Sequence, residues 1–379
     1  MKKGKTRKKL AFNDKLIIIL IFVLALLCVV YIAGQVIMQS NFFGGEEIKN
    51  HIPSSPSSTT DFSVTQKGSV NQTDYLSESE VVEMSKNMVN ILCIGFDASN
   101  ALSDVLMLVS LNTETNAVNI LQIPRDSYMG DWSTGKINSA YAFGKKPNSV
   151  QNIIDEINQE FQLPVTHYMS IGLDKFADVV DAVGGIEVNV PVTIPSDGYY
   201  PTIYAGEQKL YGRAAEWLVR HRSSYPQADI GREKMQRVFL AACMQKAKEL
   251  GIDEVVDILP EVYGDFKTDM NTEELIKLAK VFIKVDMENV QCFMLPGEAV
   301  WERDIAYENT NYYNYSVYSI HKEDTANLLN MHFRPFQNPV PAENLSIFEI
   351  VKPQDYKVHY SVDEDSKTFE DLYTNPTIK

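Results

Sequence analysis

The sequence predicts an α/β fold, a central mixed sheet covered by helices on both faces, preceded by one transmembrane helix. Three observations carry that expectation: short apolar runs of buried-strand type from Asn90 onward, helical stripes interleaved with them, and one long apolar stretch near the N-terminus.

Taken in order, residues 1–15 form a basic tail with seven Lys or Arg side chains against one acid, Asp14. Leu16 to Met38 is a 23-residue stretch whose only strongly polar member is Gln35. At about 1.5 Å per residue it spans a hydrocarbon core of about 30 Å. It exceeds the ~7 to 15 apolar residues of a cleavable signal peptide and ends on no small-x-small pattern, so an uncleaved anchor is expected. The basic tail puts the N-terminus in the cytoplasm and the main domain outside, as a single-pass protein of the cell membrane. Residues 39–87, rich in Ser, Thr, Asn, Gln and Glu with few aromatics, read as an extracytoplasmic linker.

The folded domain is expected over residues 88–335. Asn90 to Phe96, Val105 to Leu111 and Ala117 to Ile123 read as buried strands, which puts Asp97 at the end of the first and Asp104 at the start of the second. Val150, Ile153, Ile154, Ile157 and Phe161 recur at helical spacing behind Asn148 as a candidate cap. Phe176, Val179, Val180 and Val183 do the same, and Gly184-Gly185 stops that helix before a strand, Ile186 to Val190. Further helices are expected from Gly206 to Arg220, from Gly231 to Leu250, and from Thr272 to Val285, the last behind an Asn271/Glu274 capping box. Residues 336–379 form an acidic C-terminal extension with strand-like alternation at Leu345 to Val351 and Tyr356 to Val362, then a solvated acidic stretch.

The formal net charge is −15, and because the basic tail contributes +6 the remainder carries −21. An exterior that acidic excludes a nucleic-acid partner. Cys93, Cys243 and Cys292 lie in apolar segments with no paired spacing and read as core residues, while Cys28 lies in the anchor. The six histidines show no metal-ligand spacing.

The candidate chemistry is that of phosphate. Asp97 and Asp104 flank one interstrand loop, where two carboxylates can share a divalent cation. Arg125, Arg220, Arg222 and Arg232 follow, and arginines bind phosphate oxygens bidentately. Together they suit a polyphosphate better than a neutral substrate. Each residue also has a plainer reading. The two aspartates can be ordinary loop acids, Arg125 a turn residue paired with Asp126, and Lys136 a solvated loop charge. Asp229 can cap a helix or take a proton from an acceptor hydroxyl. Arg220 and Arg222 point about 200° apart on a helix and converge only if the helix has ended. Arg232 in a first helical turn opposes the macrodipole unless an anion is near.

The motifs run in one order: Asp97; Asp104 leading Val105 to Val109; Ile123-Pro124-Arg125-Asp126-Ser127-Tyr128; Lys136-Ile137-Asn138-Ser139-Ala140-Tyr141; Asp181 to Ile186; Arg220-His221-Arg222; Asp229-Ile230-Gly231-Arg232; Leu295-Pro296-Gly297. That series resembles the LytR-CpsA-Psr family over roughly residues 88–335. The resemblance implies an extracytoplasmic, Mg2+-dependent phosphotransferase. Its donor would be a polyprenyl-pyrophosphate-linked glycopolymer of teichoic acid or capsule type, and its acceptor peptidoglycan. It implies Asp97 and Asp104 as metal ligands, and Arg125, Arg220, Arg222, Arg232, Gln236 and Lys136 as phosphate contacts. Asp229 and Arg125 are the implied catalytic pair.

The sequence also departs from the family. Relatives usually carry an arginine shortly after the first aspartate and another two residues before the second, where this chain has Ala98-Ser99 and Leu102-Ser103. They usually follow Arg232 with a second arginine and Gln-Gln, where this chain has Met235-Gln236-Arg237. These departures leave an alternative: a noncatalytic polyprenyl-phosphate-binding or scaffolding protein of cell-envelope assembly.

Overall fold

The computed structural model describes residues 88–96, 102–112, 115, 117–129, 135–226, 229–250, 266–282, 285–301, 316–334, 338–348, 350 and 367–377. The expected anchor, the linker, Asp97 and the strand-like stretch 356–362 lie outside these residues. Among the described residues no helix is long and apolar enough to cross a membrane.

In chain order the strands are β1 (Met88–Phe96), β2 (Ser103–Asn112), β3 (Ala117–Gln122), β4 (His167–Gly172), β5 (Ile186–Val190), β6 (Gly206–Leu210), β7 (Phe266–Thr268), β8 (Val290–Met294), β9 (Gly297–Trp301), β10 (Ser316–Ile320) and β11 (Lys367–Thr368). The helices are α1 (Ala140–Phe143), α2 (Val150–Phe161), α3 (Leu173–Ala182), α4 (Gly212–Arg220), α5 (Asp229–Leu250), α6 (Thr272–Phe282), α7 (Lys322–His332) and α8 (Phe369–Thr374).

Among the described residues seven strands form one sheet, in the order β11-β8-β3-β2-β1-β4-β7. The pairs β1/β4 and β3/β8 are parallel and the others antiparallel, so the sheet is mixed. Because β2 runs against both neighbours, the C-terminal ends of β1, β3, β4 and β8 share an edge with the start of β2. That edge is where crevices form in α/β sheets.

Alternation along each strand builds two cores. Ile91, Cys93, Met107 and Ile120 face α3, α4, α5 and α6, whereas Leu92, Ile94, Leu106 and Leu121 face α2 and α7. α5 is buried along most of its length, including the six consecutive apolar residues Phe239 to Met244. A helix apolar all round belongs in the interior, and the Gln122–Gln236 bond ties α5 to the end of β3. Cys93, Cys243 and Cys292 are buried, as expected.

Several local expectations change. α2 is capped by Ser149, whose side chain accepts from the Gln151 amide, while Asn148 takes a left-handed conformation at φ 60°. Residues 206–210 are not helical. They form β6, paired with β5 in a separate two-stranded sheet, and α4 starts only at Gly212. Leu345 to Phe348 form no strand. The C-terminal end is not simply solvated: β11 adds to the sheet through β8, and Phe369 and Leu372 of α8 are buried against the core. The Gly184-Gly185 stop is present at φ 74° and 84°, conformations glycine adopts without steric cost, and the Asn271/Glu274 capping box is made in both directions.

Candidate functional site

The loop after β3 carries Arg125 and is pinned on two sides. The Tyr128 amide donates to the Tyr318 carbonyl at 2.9 Å and the Tyr318 amide to the Asp126 carbonyl at 2.8 Å, tying the loop to β10. On the other side the Ile137 amide donates to Ser127 and the Asn138 amide to Arg125. Two motifs separate in sequence are therefore stitched together by backbone bonds, with Asp104 beside them at the start of β2.

α4 ends at Arg220, and His221 is extended at φ −62°, ψ 149°. The condition for Arg220 and Arg222 to leave the helical 200° separation is met. The His221 ring is buried, and its Nε2 accepts from the Ser224 amide at 3.0 Å. Burial lowers its pKa, which keeps that nitrogen an acceptor. The turn returns the chain to α5, which opens at Asp229.

Three arginines converge on one carboxylate. Arg222 Nε lies 2.9 Å from Asp229 Oδ1, Arg232 Nη2 donates to Asp229 Oδ2 at 3.0 Å, and Arg125 Nε lies 3.4 Å from the same oxygen. Arg125 Nη1 also donates to Asp104 Oδ1 at 2.5 Å. Burial acts to lower the Arg125 pKa, but Asp229, Asp126 and Asp104 outweigh it and hold the guanidinium above its ordinary value. Arg232 is only 3% exposed, and there burial wins over the attraction of Asp229 and lowers its pKa. The Nε atoms of Arg125 and Arg232 are buried with no hydrogen-bond acceptor. Donors left open in this way are groups a phosphate oxygen can satisfy.

The other expected residues fall around this cluster. Lys136 Nζ donates to Asp126 Oδ1 at 3.0 Å, so it is a half-buried part of the rim rather than a solvated loop charge. Arg220 is turned toward Glu216 at 2.7 Å. Burial lowers its pKa while Glu216, Tyr200 and Asp104 raise it, with a net rise, so it still senses the site's acid. Gln236 uses both ends of its amide, accepting from Gln122 Nε2 at 2.9 Å and donating to the Val219 carbonyl at 3.2 Å. It braces the end of β3 against the end of α4. Asp229 shows no capping bond; its carboxylate is given to the arginines.

For a divalent cation, Asp104 keeps Oδ2 free of hydrogen bonds and ion pairs while Oδ1 takes Arg125. Magnesium uses one or two carboxylates with substrate phosphate more often than a full protein cage, and Asp104 fits as one such ligand. Among the described residues no group of three His, Cys, Asp or Glu side chains could hold a metal.

Sequence reasoning missed Glu233. It is 3% exposed and its Oε2 has no partner; burial, reinforced by Asp229, pushes its pKa up to about 8. The signal was available in the spacing. Residues 229, 232, 233, 236 and 237 follow i, i+3, i+4, i+7, i+8, one helical stripe, and in an interior helix such a polar stripe needs a reason.

The LytR_cpsA_psr family matches residues 58–330. The chain belongs to the LytR-CpsA-Psr family. The match begins ahead of residue 88, within the stretch read as linker. A polyisoprenyl-teichoic acid–peptidoglycan teichoic acid transferase, TagU of Bacillus cereus, is 30% identical over 262 residues, 67% of this chain and 82% of that protein. TagU of Enterococcus faecalis is 30% identical over 228 residues, 56% of this chain and 73% of its own. The crystal structure of B. subtilis TagV has the same fold, with a TM-score of 0.54 at 21% identity, covering 69% of this chain and 98% of that one. Within this LytR-CpsA-Psr domain Met235 is fully buried in the apolar core, where the usual sequence has arginine.

Proposed function

We propose that the chain transfers a phosphorylated glycopolymer from a polyprenyl-pyrophosphate carrier to peptidoglycan, outside a membrane to which residues 16–38 anchor it. The observation that carries this reading is the convergence of Arg125, Arg222 and Arg232 on Asp229, with buried Nε donors left over. No nucleotide is supplied outside the cell, so the donor must arrive already activated, and a lipid pyrophosphate meets a tethered domain at the membrane. Phosphoryl transfer depends on neutralising charge at nonbridging oxygens more than on covalent catalysis.

When a diphosphate enters, the arginines exchange Asp229 for phosphate oxygens, and the freed carboxylate is placed to act as base. The acceptor hydroxyl oxygen attacks the phosphorus next to the glycan, and its proton passes to Asp229. The bond from that phosphorus to the bridging oxygen breaks, and the prenyl monophosphate leaves. Arg125, held by Asp104, stabilises the developing charge. Asp104, with Asp97, would hold Mg2+, which when bound supplies charge neutralisation at the phosphates. Gln236 acts by bracing the two segments that carry the arginines.

One observation favours the second reading, a noncatalytic binder of the same lipid: Met235 lies in the core rather than supplying a cation. A reconstituted assay separates the two. Full-length protein with Mg2+, lipid-linked donor and nascent peptidoglycan should yield peptidoglycan-bound polymer, and Asp229→Ala should yield none. Donor binding without product would leave the binding reading in place.

A further inference from the structure

Arg237 is 4% exposed, yet among the described residues it makes no hydrogen bond or ion pair, and its Nε is buried without an acceptor. Folded proteins keep buried guanidinium groups paired because an unpaired charge in the interior is costly. Arg237 lies on the stripe of α5 that carries Asp229, Arg232, Glu233 and Gln236. Gln236 fastens that stripe to Gln122 at the end of β3, where the Arg125 loop departs. The acid nearest along the helix is Glu233, which feels both Arg232 and Arg237 but forms no ion pair with either. Burial pushes its pKa up to about 8, which weakens it as a counter-charge for Arg237. The Cys292 thiol on β8 also feels Arg237, which sets the guanidinium on the sheet side of the helix.

From these relations we infer that Arg237 makes a further, buried contact to the diphosphate of the donor, one step deeper along α5 than Arg232. The inference rests on the donor reading given above. The two arginines are five residues apart, a rise of roughly 7.5 Å along the helix, which two linked phosphoryl groups and their hydrogen bonds can bridge. Arg232 Nε, Arg125 Nε and Arg237 Nε are all buried donors without an acceptor among the described residues, as is Ser127 Oγ in the Arg125 loop, and a diphosphate offers oxygens enough to meet them. The position is one at which relatives usually have glutamine, so the contact would distinguish this chain's hold on its donor from theirs.

The test measures binding of geranyl pyrophosphate and of inorganic pyrophosphate to the full-length chain in detergent micelles, for wild type, Arg237→Gln, Arg237→Lys and Arg125→Ala. Arg237→Gln should weaken both probes about tenfold or more, the value of a lost charged hydrogen bond. Arg237→Lys should fall between it and wild type. The Tm of unliganded Arg237→Gln should stay level or rise, because an unpaired charge has been removed. Wild-type affinity in Arg237→Gln, alongside loss of binding in Arg125→Ala, would overturn the inference and leave the donor reading standing. A loss confined to inorganic pyrophosphate would overturn it too, since the contact would then serve a free anion. Failure of the wild-type chain to bind either probe would remove both readings together.

Discussion

Replacing Asp229 with asparagine removes the carboxylate on which Arg125, Arg222 and Arg232 meet, and the consequence can be worked from burial. Arg222 is 46% exposed and loses little, because water takes over the solvation of its charge. Arg232 is 3% exposed and Asp229 is its only ion-pair partner among the described residues, so the variant strands a buried cation. Removing one member of a buried pair costs about 3 to 5 kcal/mol. Asp229 itself is 30% exposed, which favours the low end, about 3 kcal/mol. For a domain of this size that lowers the Tm by about 6 to 12 °C. Inorganic pyrophosphate should then recover stability, by about 2.7 kcal/mol at a hundred times its Kd, because it returns negative charge to the same arginines. Differential scanning fluorimetry with and without pyrophosphate measures both effects. An Asp229→Asn variant that melts with wild type would refute the reasoning, since it would mean that Arg232 does not depend on this carboxylate.

Three further outcomes are expected. Glu233 holds its proton in the folded chain up to about pH 8 against an ordinary value of 4.5, so as pH rises the unfolded chain ionises first and stability falls until about pH 8. Glu233→Gln lacks that loss, and urea unfolding should show its advantage over wild type growing from pH 5 to 8, by at most about 1.4 kcal/mol per pH unit; a constant difference would contradict the assignment. Gly231→Ala would put a Cβ 2.4 Å from Tyr225 Cβ, so the first turn of α5 must shift. It should lose about 1 to 3 kcal/mol of stability and weaken pyrophosphate binding, and a variant like wild type in both would show that the turn can relax. Protease added to intact cells should digest the domain beyond residue 40, and protection of that domain would contradict the expected topology.

What the sequence disclosed and what it hid follow from the range of the interactions involved. β1, β2 and β3 were legible because each carries a short, mostly apolar run whose residues are mostly buried. α2 was legible because its buried residues keep one helical stripe. β6 was not: Gly206-Glu207-Gln208-Lys209-Leu210 has one apolar residue, and its strand conformation comes from pairing with β5 across a long loop. The ends of the chain obey the same rule, since β11 is a strand only because β8 lies beside it. Among the site residues, Arg125, Arg222, Arg232 and Asp229 could be named from their motifs, while their meeting on one carboxylate could not, because backbone bonds from β10 and residues 136–138 place Arg125. Lys136 stood between two readings, and its bond to Asp126 argues against the solvated one. Glu233 and Arg237 look like ordinary surface charges of an acidic protein, and only the burial of α5 makes them unusual.

The most direct test is a crystal structure of the chain with a short-chain polyprenyl pyrophosphate and Mg2+. The account predicts diphosphate oxygens within hydrogen-bond distance of Arg125, Arg222 and Arg232, with those guanidinium groups drawn off Asp229 and Arg237 in contact from below. A ligand bound elsewhere, with all three arginines still on Asp229, would contradict it.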